Sequence, residues 1–280
     1  LTKFNSKCIK SFLENYNINS KEIDIIGLHG HTIFHNPKEN WTWQLCNGKI
    51  LSNLVNMSVV VFDPSHIGNL IGWFDANDSS TVLLEDNTVK EWLDKSDLKN
   101  NFSQILPESM PGYSNNSIVF DGLNDSLSWG NPQTRNTFNI FLVKKSSDTK
   151  SLDFWGQTAH FYIFVQQQNS SSGVWHAFGI PKTFINGLSY NFTNRGHAYT
   201  VVHDGQLKLI SILDGDTSGW TDFRIGNYPS YEFAGAFHEI IFLEGEIEYV
   251  TRNRIEGYLA HKWGLTSNLP AGHPYKDIAP

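Results

Sequence analysis

Residues Ile247–Lys276 read IEYVTRNRIEGYLAHKWGLTSNLPAGHPYK, and this stretch decides how the rest of the chain is interpreted. Apolar side chains recur at helical spacing through Ile255, Leu259 and Trp263, which predicts a helix with one buried face. Gly264 stands where a helix ends, and the prolines after it prevent the helix from resuming. The pattern therefore predicts a late amphipathic helix and an extended tail, both packed onto a body of strands.

The body before this helix consists of many short apolar runs separated by turn residues. Asp204-Gly205 between two such runs is a hairpin signal. Many strands with one late helix are typical of a two-sheet antiparallel jelly roll. We therefore expect a mainly β sandwich over 68–280, preceded by a small α/β segment over 1–63. Strands are predicted near 70–75, 88–93, 117–121, 125–129, 137–145, 151–156, 160–168, 174–179, 198–203, 206–213, 222–226 and 232–243.

The C-terminal motif GYLAHKWGL…LPAGHPYK resembles the signature of concanavalin A-like, laminin-G-like jelly-roll domains. Such domains occur in marine and environmental bacteria and in phage structural proteins. Five further segments agree in the same order: LIGWFDA from Leu70, WLDKS from Trp92, SIVFDG from Ser117, FRIGN from Phe223 and FAGAFHEII from Phe233. The resemblance covers about residues 68–280.

The resemblance implies that the middle strands of the body build the sheet on which lectins and glucanases hold sugars. Aromatic faces stack on pyranose rings, and polar neighbours meet the hydroxyls. For any single aromatic residue, core packing is the alternative. Asp121 and Glu239 match recurrent positions, and we expect them to bond backbone in turns or between strands. The carbohydrate-binding candidates in these strands are Trp155, His160, Tyr162, Trp175 and His176.

The sequence of the first segment, residues 1–63, predicts an α/β structure that differs from the mainly β body. A helix is expected over 4–17 and short strands over 23–30, 32–35, 41–45 and 58–63, with a second helix over 49–55. The motifs EIDIIGLHGHTIFHNP from Glu22 and WQLCNGKILSN from Trp43 resemble an internal piece of anhydro-N-acetylmuramic acid kinase. The family has Gln where His31 stands. Its phosphate-binding loop and catalytic second half do not occur in these 280 residues, so we expect no kinase activity.

Several clusters invite a metal or catalytic interpretation. His29, His31 and His35 lack a supporting carboxylate or thiolate at a fitting spacing, and the kinase resemblance explains the first as part of a turn. Glu244, Glu246 and Glu248 would form an acid/base set only if strand-like; acids opposing the helix dipole are the simpler interpretation.

A second group of oxygen-bearing side chains suggests calcium. Asp214, Asp216 and Ser218 begin like a calcium loop, but Ile225 occupies the position of the bidentate Glu. Either a structural calcium or a plain turn is expected there. Asp75, Asn77 and Asp78 form another oxygen-rich turn with the same two interpretations. No other cofactor is expected.

Composition narrows the function. The net charge of -7 without a basic stripe argues against nucleic acid. No apolar run reaches the ~20 residues of a membrane span, and no signal peptide is visible. We expect an extracellular, cell-surface or virion-associated protein that binds a glycan or polysaccharide, acting as a non-catalytic carbohydrate-binding or adhesion module. The alternatives are a glycoside hydrolase or lyase of the same fold, and a structural domain of a phage tail or surface assembly.

Overall fold

The structure, a computed structural model, describes residues 2–23, 26–27, 31–36, 41–45, 54, 59–60, 62–129, 135–146, 150–156, 161–175, 181–220, 222–226, 232–277 and 279–280. In these residues the chain is mainly β, with one large antiparallel sheet and few helices. The mainly β class predicted from the sequence is therefore confirmed.

The first segment begins with a helix and continues with short strands. Two of the strands pair in parallel, with Ile26 beside Val59, and the other two pair antiparallel. The predicted helix and strands of this segment are confirmed except at their ends, since Ile23, Phe62 and Asp63 are described but lie in no strand. The helix predicted over 49–55 lies outside the described residues except for Leu54. The elements are α1 (Thr2–Asn15), β1 (Ile26–Gly27), β2 (His31–Asn36), β3 (Trp41–Leu45) and β4 (Val59–Val60).

The body contributes fifteen described strands to one antiparallel sheet. They are β5 (Leu70–Asp75), β6 (Val82–Glu85), β7 (Thr88–Trp92), β8 (Phe102–Ser103), β9 (Gly112–Ser114), β10 (Ser117–Asp121), β11 (Ser126–Trp129), β12 (Phe138–Ser146), β13 (Lys150–Gly156), β14 (Phe161–Gln167), β15 (Lys182–Ile185), β16 (Leu188–Tyr190), β17 (Lys208–Gly215), β18 (Arg224–Gly226) and β19 (Ala234–Glu244). Along the ladder their order is β14-β13-β18-β11-β8-β7-β9-β10-β19-β12-β17-β15-β16, with β5 on β19 and β6 on β7.

One face of this sheet carries an aromatic core. Trp129 of β11 stacks on Phe242 of β19 with ring centroids 4.6 Å apart, although four strands separate β11 from β19 along the ladder. Phe74 of β5 meets the edge of the Trp129 ring at 6.0 Å. Rings on strands so distant in the ladder can touch only if the sheet curves. Two parts of the sheet therefore face each other across these rings.

The opposite face of one part is covered by helix α3 (Tyr249–Lys262). Ile255 and Leu259 are fully buried in a second apolar cluster that includes Phe141 of β12 and Ile241 of β19. The four-residue spacing places both side chains on one helix face. This confirms the amphipathic helix predicted from the C-terminal stretch.

The tail after α3 folds back along the helix. A Cβ atom at Gly257 would lie 2.4 Å from Cβ of Tyr275, so only glycine lets the tail approach this closely. His261 Nε2 lies 2.9 Å from the carbonyl oxygen of Tyr275. On the other side, Phe62 meets the Tyr258 ring at 5.8 Å, so residues before position 68 also pack against this helix.

The strand predicted over 198–203 is wrong, because these residues lie in helix α2 (Arg195–Val202). The Asn194 side chain caps the helix by accepting a hydrogen bond from the backbone N–H of His197 at 2.8 Å. Ala198 and Val202, four residues apart, are buried in the core. Asp204-Gly205 therefore joins a helix to β17, and the predicted hairpin is also wrong.

The other predicted strands of the body are confirmed within one or two residues, with one exception. Of the strand predicted over 174–179, the structure describes Val174 and Trp175, and neither lies in a strand. Five short described strands, β6, β8, β9, β15 and β16, were missed, because runs of two to four residues carry little periodic signal.

Candidate functional site

The structure brings together two of the predicted carbohydrate-binding positions. Trp155 of β13 and Tyr162 of β14 are direct cross-strand partners. Their side chains, and the whole of His160 and His176, lie outside the described residues. Trp175 is half-buried and stacks on Phe164 with ring centroids 5.3 Å apart, so at least part of this ring belongs to the core.

A continuous row of cross-strand partners extends from these two residues across four more strands. Directly paired residues of antiparallel strands project to the same side of the sheet. The row, which we call the outer row, runs Tyr162, Trp155, Arg224, Ser128, Ser103 and Glu91.

The described side chains of the outer row lie on the side of the sheet opposite the aromatic core. Arg224, Ser128, Ser103 and Glu91 are each half-exposed. The next positions in the same strands, such as Ile225, Trp129 and Phe102, are buried at 0–1% exposure. This period of two is the pattern of a strand with one solvated face. The described members of the outer row are therefore accessible to a ligand.

Arg224 is the most strongly positioned polar group of the row. Its Nε donates to Oδ2 of Asp222 at 2.7 Å, and Oδ1 of Asp222 accepts the backbone N–H of Phe223 at 2.8 Å. At the far end of the row, Asn101 Nδ2 donates to Oε2 of Glu91 at 3.3 Å. A guanidinium held in one orientation beside hydroxyl and carboxylate groups can bond a polyhydroxylated ligand.

Sequence reasoning missed the four polar members of this row. Alternation of polar and apolar residues in Phe223-Arg224-Ile225 and in Leu127-Ser128-Trp129 was a usable signal for a solvated face. Which strands are neighbours was not readable, because β18 comes about a hundred residues after β11 in the chain. The pairing of Arg224 with both Trp155 and Ser128 appears only in the fold.

The calcium candidates are engaged in contacts of other kinds. The Asp214 carboxylate forms an ion pair with Lys182 at 2.7 Å, and Asp216 accepts the backbone N–H of Ser218 at 2.8 Å, as in a turn. Within the part of the chain that the structure describes, no group of three or more His, Cys, Asp or Glu side chains could hold a metal ion. The structural calcium stays a prediction.

The second oxygen-rich turn is bound by lysines. Asp75 lies 3.3 Å from Lys95 Nζ and 2.8 Å from Lys262 Nζ, and Asp78 lies 2.9 Å from Lys95 Nζ. Asp78 also accepts the backbone N–H of Ser80. These cations occupy the carboxylates that a calcium ion would need.

Glu239 is the centre of a buried hydrogen-bond network under α3. Its carboxylate accepts from Trp73 Nε1 at 2.8 Å, Tyr258 OH at 2.9 Å and Trp263 Nε1 at 2.7 Å, and lies 2.7 Å from Lys262 Nζ. Burial raises the pKa of Glu239, and Lys262 opposes that rise. The network fastens helix α3 to β19 and β5.

The structural role predicted for Glu239 fits this position, but the predicted partners were wrong, because the bonds go to side chains and not to backbone. Asp121 does bond backbone in a turn, accepting the N–H of Leu123 at 2.8 Å. The acids proposed to oppose the helix dipole are placed differently: Glu244 ends β19 and pairs with Arg135, and Glu248 occupies the N-cap of α3 without a side-chain capping bond.

Neighbouring His238 makes stability depend on pH. Burial lowers the pKa of His238 from 6.5 to about 4. Between those values the unfolded chain binds a proton that the folded chain excludes, so stability falls as pH falls from 6.5 to 4. We expect His238→Gln to remove roughly 2–3 kcal/mol of this loss between pH 7 and pH 4.5, measured by urea unfolding at each pH.

The change in stability with pH must be compared between the variant and wild type, because Asp125 changes the stability in the opposite direction. Burial raises the pKa of Asp125 to about 6. The stability that its protonated form contributes is therefore lost as pH rises through that value. The exposed His66, replaced by Gln, is the matched control. Equal pH slopes for His238→Gln and wild type would contradict the expected result.

Comparisons with known proteins agree with the kinase resemblance described for the first segment. Residues 1–63 match the family described as Anhydro-N-acetylmuramic acid kinase. The kinase of Paramagnetospirillum magneticum is 36% identical over 59 residues, covering 21% of this chain and 17% of that protein. The kinase of Zymomonas mobilis is 38% identical over 60 residues, covering 21% and 16%. The chain thus spans about a sixth of the length of these relatives.

The chain has a weaker neighbour among solved structures. A Trypanosoma rangeli sialidase in complex with the inhibitor DANA aligns with a TM-score of 0.34 at 9% identity, covering 67% of this chain and 32% of that one. A TM-score of this size supports no conclusion about fold or ligand. Separately, the described helices include none that is long and apolar enough to cross a membrane.

Proposed function

We propose that residues 68–280 form a non-catalytic carbohydrate-binding or adhesion module on a concanavalin A-like, two-sheet jelly roll. The aromatic core supports the two-sheet arrangement, because Trp129 and Phe242 meet across it from strands far apart in the ladder. Helix α3 covers one outer face of this sandwich, and the outer row lies on the other.

The outer row is the observation that carries the function. It sets Trp155 and Tyr162 beside Arg224, followed by the hydroxyls of Ser128 and Ser103, on adjacent strands. Strands lie about 4.8 Å apart, so six positions span roughly 24 Å, a length suited to several sugar units. Aromatic faces would stack on the rings, and the polar members would bond the hydroxyls.

The row favours binding over hydrolysis. Glycoside hydrolases place two carboxyl groups across the scissile bond, about 5 to 10 Å apart. Among the six row positions Glu91 alone is a carboxylate, and Asp222 beside the row is engaged by Arg224. A ligand held along the row would therefore meet a surface that recognises it without an acid/base pair.

The test is a glycan array probed with the wild-type chain, Arg224→Ala and the control Arg254→Ala. Arg254 is exposed on helix α3, which covers the opposite side of the fold. We expect Arg224→Ala to weaken binding to the recognised glycan about tenfold or more, the usual effect of losing a charged hydrogen bond. Arg254→Ala should bind like wild type. Equal loss in both variants, or no glycan bound by wild type, would contradict the proposal.

A further inference from the structure

The core contains a lysine and an aspartate that are both fully buried. The side chains of Lys144 in β12 and Asp153 in β13 are 0% exposed, and Lys144 Nζ lies 2.5 Å from Asp153 Oδ1. The rings of Phe164 and Phe233 lie 5.6 and 5.4 Å from the same Nζ atom. The amine and the carboxyl group are therefore held in contact in largely apolar surroundings.

This contact joins parts of the sheet that no described ladder pairing connects directly. Strand β12 pairs with β17 and β19, whereas β13 pairs with β14 and β18. A bond between Lys144 and Asp153 would link the two facing parts of the sheet across the core. The body also contains no cysteine, since Cys8 and Cys46 both precede residue 68. No disulfide can supply such a link within 68–280.

The surroundings disfavour the charged form of the amine. Burial lowers the pKa of the Lys144 amine, and Asp153 opposes that fall. Transfer of one proton from the Lys144 ammonium to the Asp153 carboxylate, across their 2.5 Å contact, would give a neutral amine and a carboxylic acid. A neutral amine carries the lone pair that an attack on a carboxyl carbon requires, whereas an ammonium does not.

Gln166 positions the amine for such an attack. Its Oε1 accepts a hydrogen bond from Lys144 Nζ at 3.0 Å, and its Nε2 donates to the carbonyl oxygen of Phe164. His203 Nε2 lies 3.1 Å from the same Oε1. One N–H of the amine is thus directed at Gln166, while the nitrogen stays in contact with the Asp153 carboxyl group.

We propose that Lys144 and Asp153 condense into an intramolecular isopeptide bond between Nζ and Cγ. The amine attacks Cγ, and one carboxyl oxygen leaves as water with two protons, one from the amine and one from the carboxylic acid. The product is a neutral amide, and its one remaining N–H can still donate to Gln166 Oε1. Neither an oxidant nor a cofactor is required. This inference does not depend on glycan binding.

Intact-mass spectrometry of the denatured wild-type chain tests the bond. We expect a mass lower than the sequence mass by one water, about 18 Da. Lys144→Met should show its full sequence mass, and the control Lys145→Met, at the adjacent exposed lysine, should keep the deficit. A wild-type chain at full sequence mass overturns the proposal.

Peptide mapping of the wild type keeps the test decisive if Lys144→Met fails to fold. Trypsin should release 146–150 and leave peptide 136–145 joined to peptide 151–182 as one branched species, because the modified Lys144 is not a cleavage site. Separate peptides ending at Lys144 and beginning at Ser151 would overturn the proposal. Loss of water at another position would leave these peptides separate, and that result would also overturn the proposal.

Discussion

Replacing Trp129 by alanine should lower the free energy of unfolding by about 3–5 kcal/mol, the range for large aromatic truncations in cores. The side chain is 1% exposed and lies where the two facing parts of the sheet meet, stacked on Phe242 and contacting Phe223 at 5.4 Å. Its Nε1 also donates to the backbone carbonyl of Asn100, which would lose this partner. The loss is a large share of the ~5–15 kcal/mol that a domain usually has.

Urea unfolding followed by circular dichroism measures this effect. Tyr249→Ala is the matched control, since this aromatic residue is 63% exposed at the start of helix α3. It should change the free energy of unfolding by no more than about 0.5 kcal/mol. If Trp129→Ala were as stable as Tyr249→Ala, the two parts of the sheet could not be held together by this aromatic core.

Replacing Glu239 by alanine should have an effect of similar size, about 3–5 kcal/mol, because it breaks a buried ion pair by removing one partner. The carboxylate is 0% exposed and binds Trp73, Tyr258, Trp263 and Lys262. Without it, two indole N–H groups and one hydroxyl would lose their acceptor, and Lys262 would keep Asp75 as a partner. The attachment of helix α3 to the sheet should weaken first.

Hydrogen exchange combined with thermal unfolding identifies where Glu239→Ala acts. Amides of 249–263 should lose protection before those of β12, and the melting temperature should fall. Glu246→Ala is the control, because this glutamate is exposed just before the helix. Wild-type protection of the helix in Glu239→Ala would mean that apolar packing of Ile255 and Leu259 alone holds α3 in place.

The sequence predicted those parts of the fold that depend on local patterns. The four-residue spacing of Ile255, Leu259 and Trp263 predicted α3, and long apolar runs such as the one in β12 predicted the central strands. The pattern failed at 198–203, where β-branched and aromatic residues suggested a strand. There, the cap at Asn194 and the burial of Ala198 and Val202 favour a helix over local β propensity.

The candidate site was less predictable, because it depends on the register between strands that are distant in sequence. Trp155 and Tyr162 were found as aromatic residues in middle strands, but nothing local shows that Arg224 lies between Trp155 and Ser128. Lys144 posed a different difficulty. A lysine pair at the end of a strand predicts solvent exposure, and only a buried partner such as Asp153 explains why one of the two lysines is inside.

The binding of a glycan by Trp155→Ala and by Trp175→Ala, measured by titration alongside melting curves, tests the central claim most directly. The glycan is the one that wild type selects on the array. Trp155 occupies the outer row, whereas Trp175 stacks on Phe164 of the core. We expect Trp155→Ala to bind about tenfold more weakly, with its melting temperature nearly unchanged, and Trp175→Ala to melt lower. Wild-type affinity in Trp155→Ala, with binding lost only where the fold is destabilised, would contradict a glycan site on the outer row.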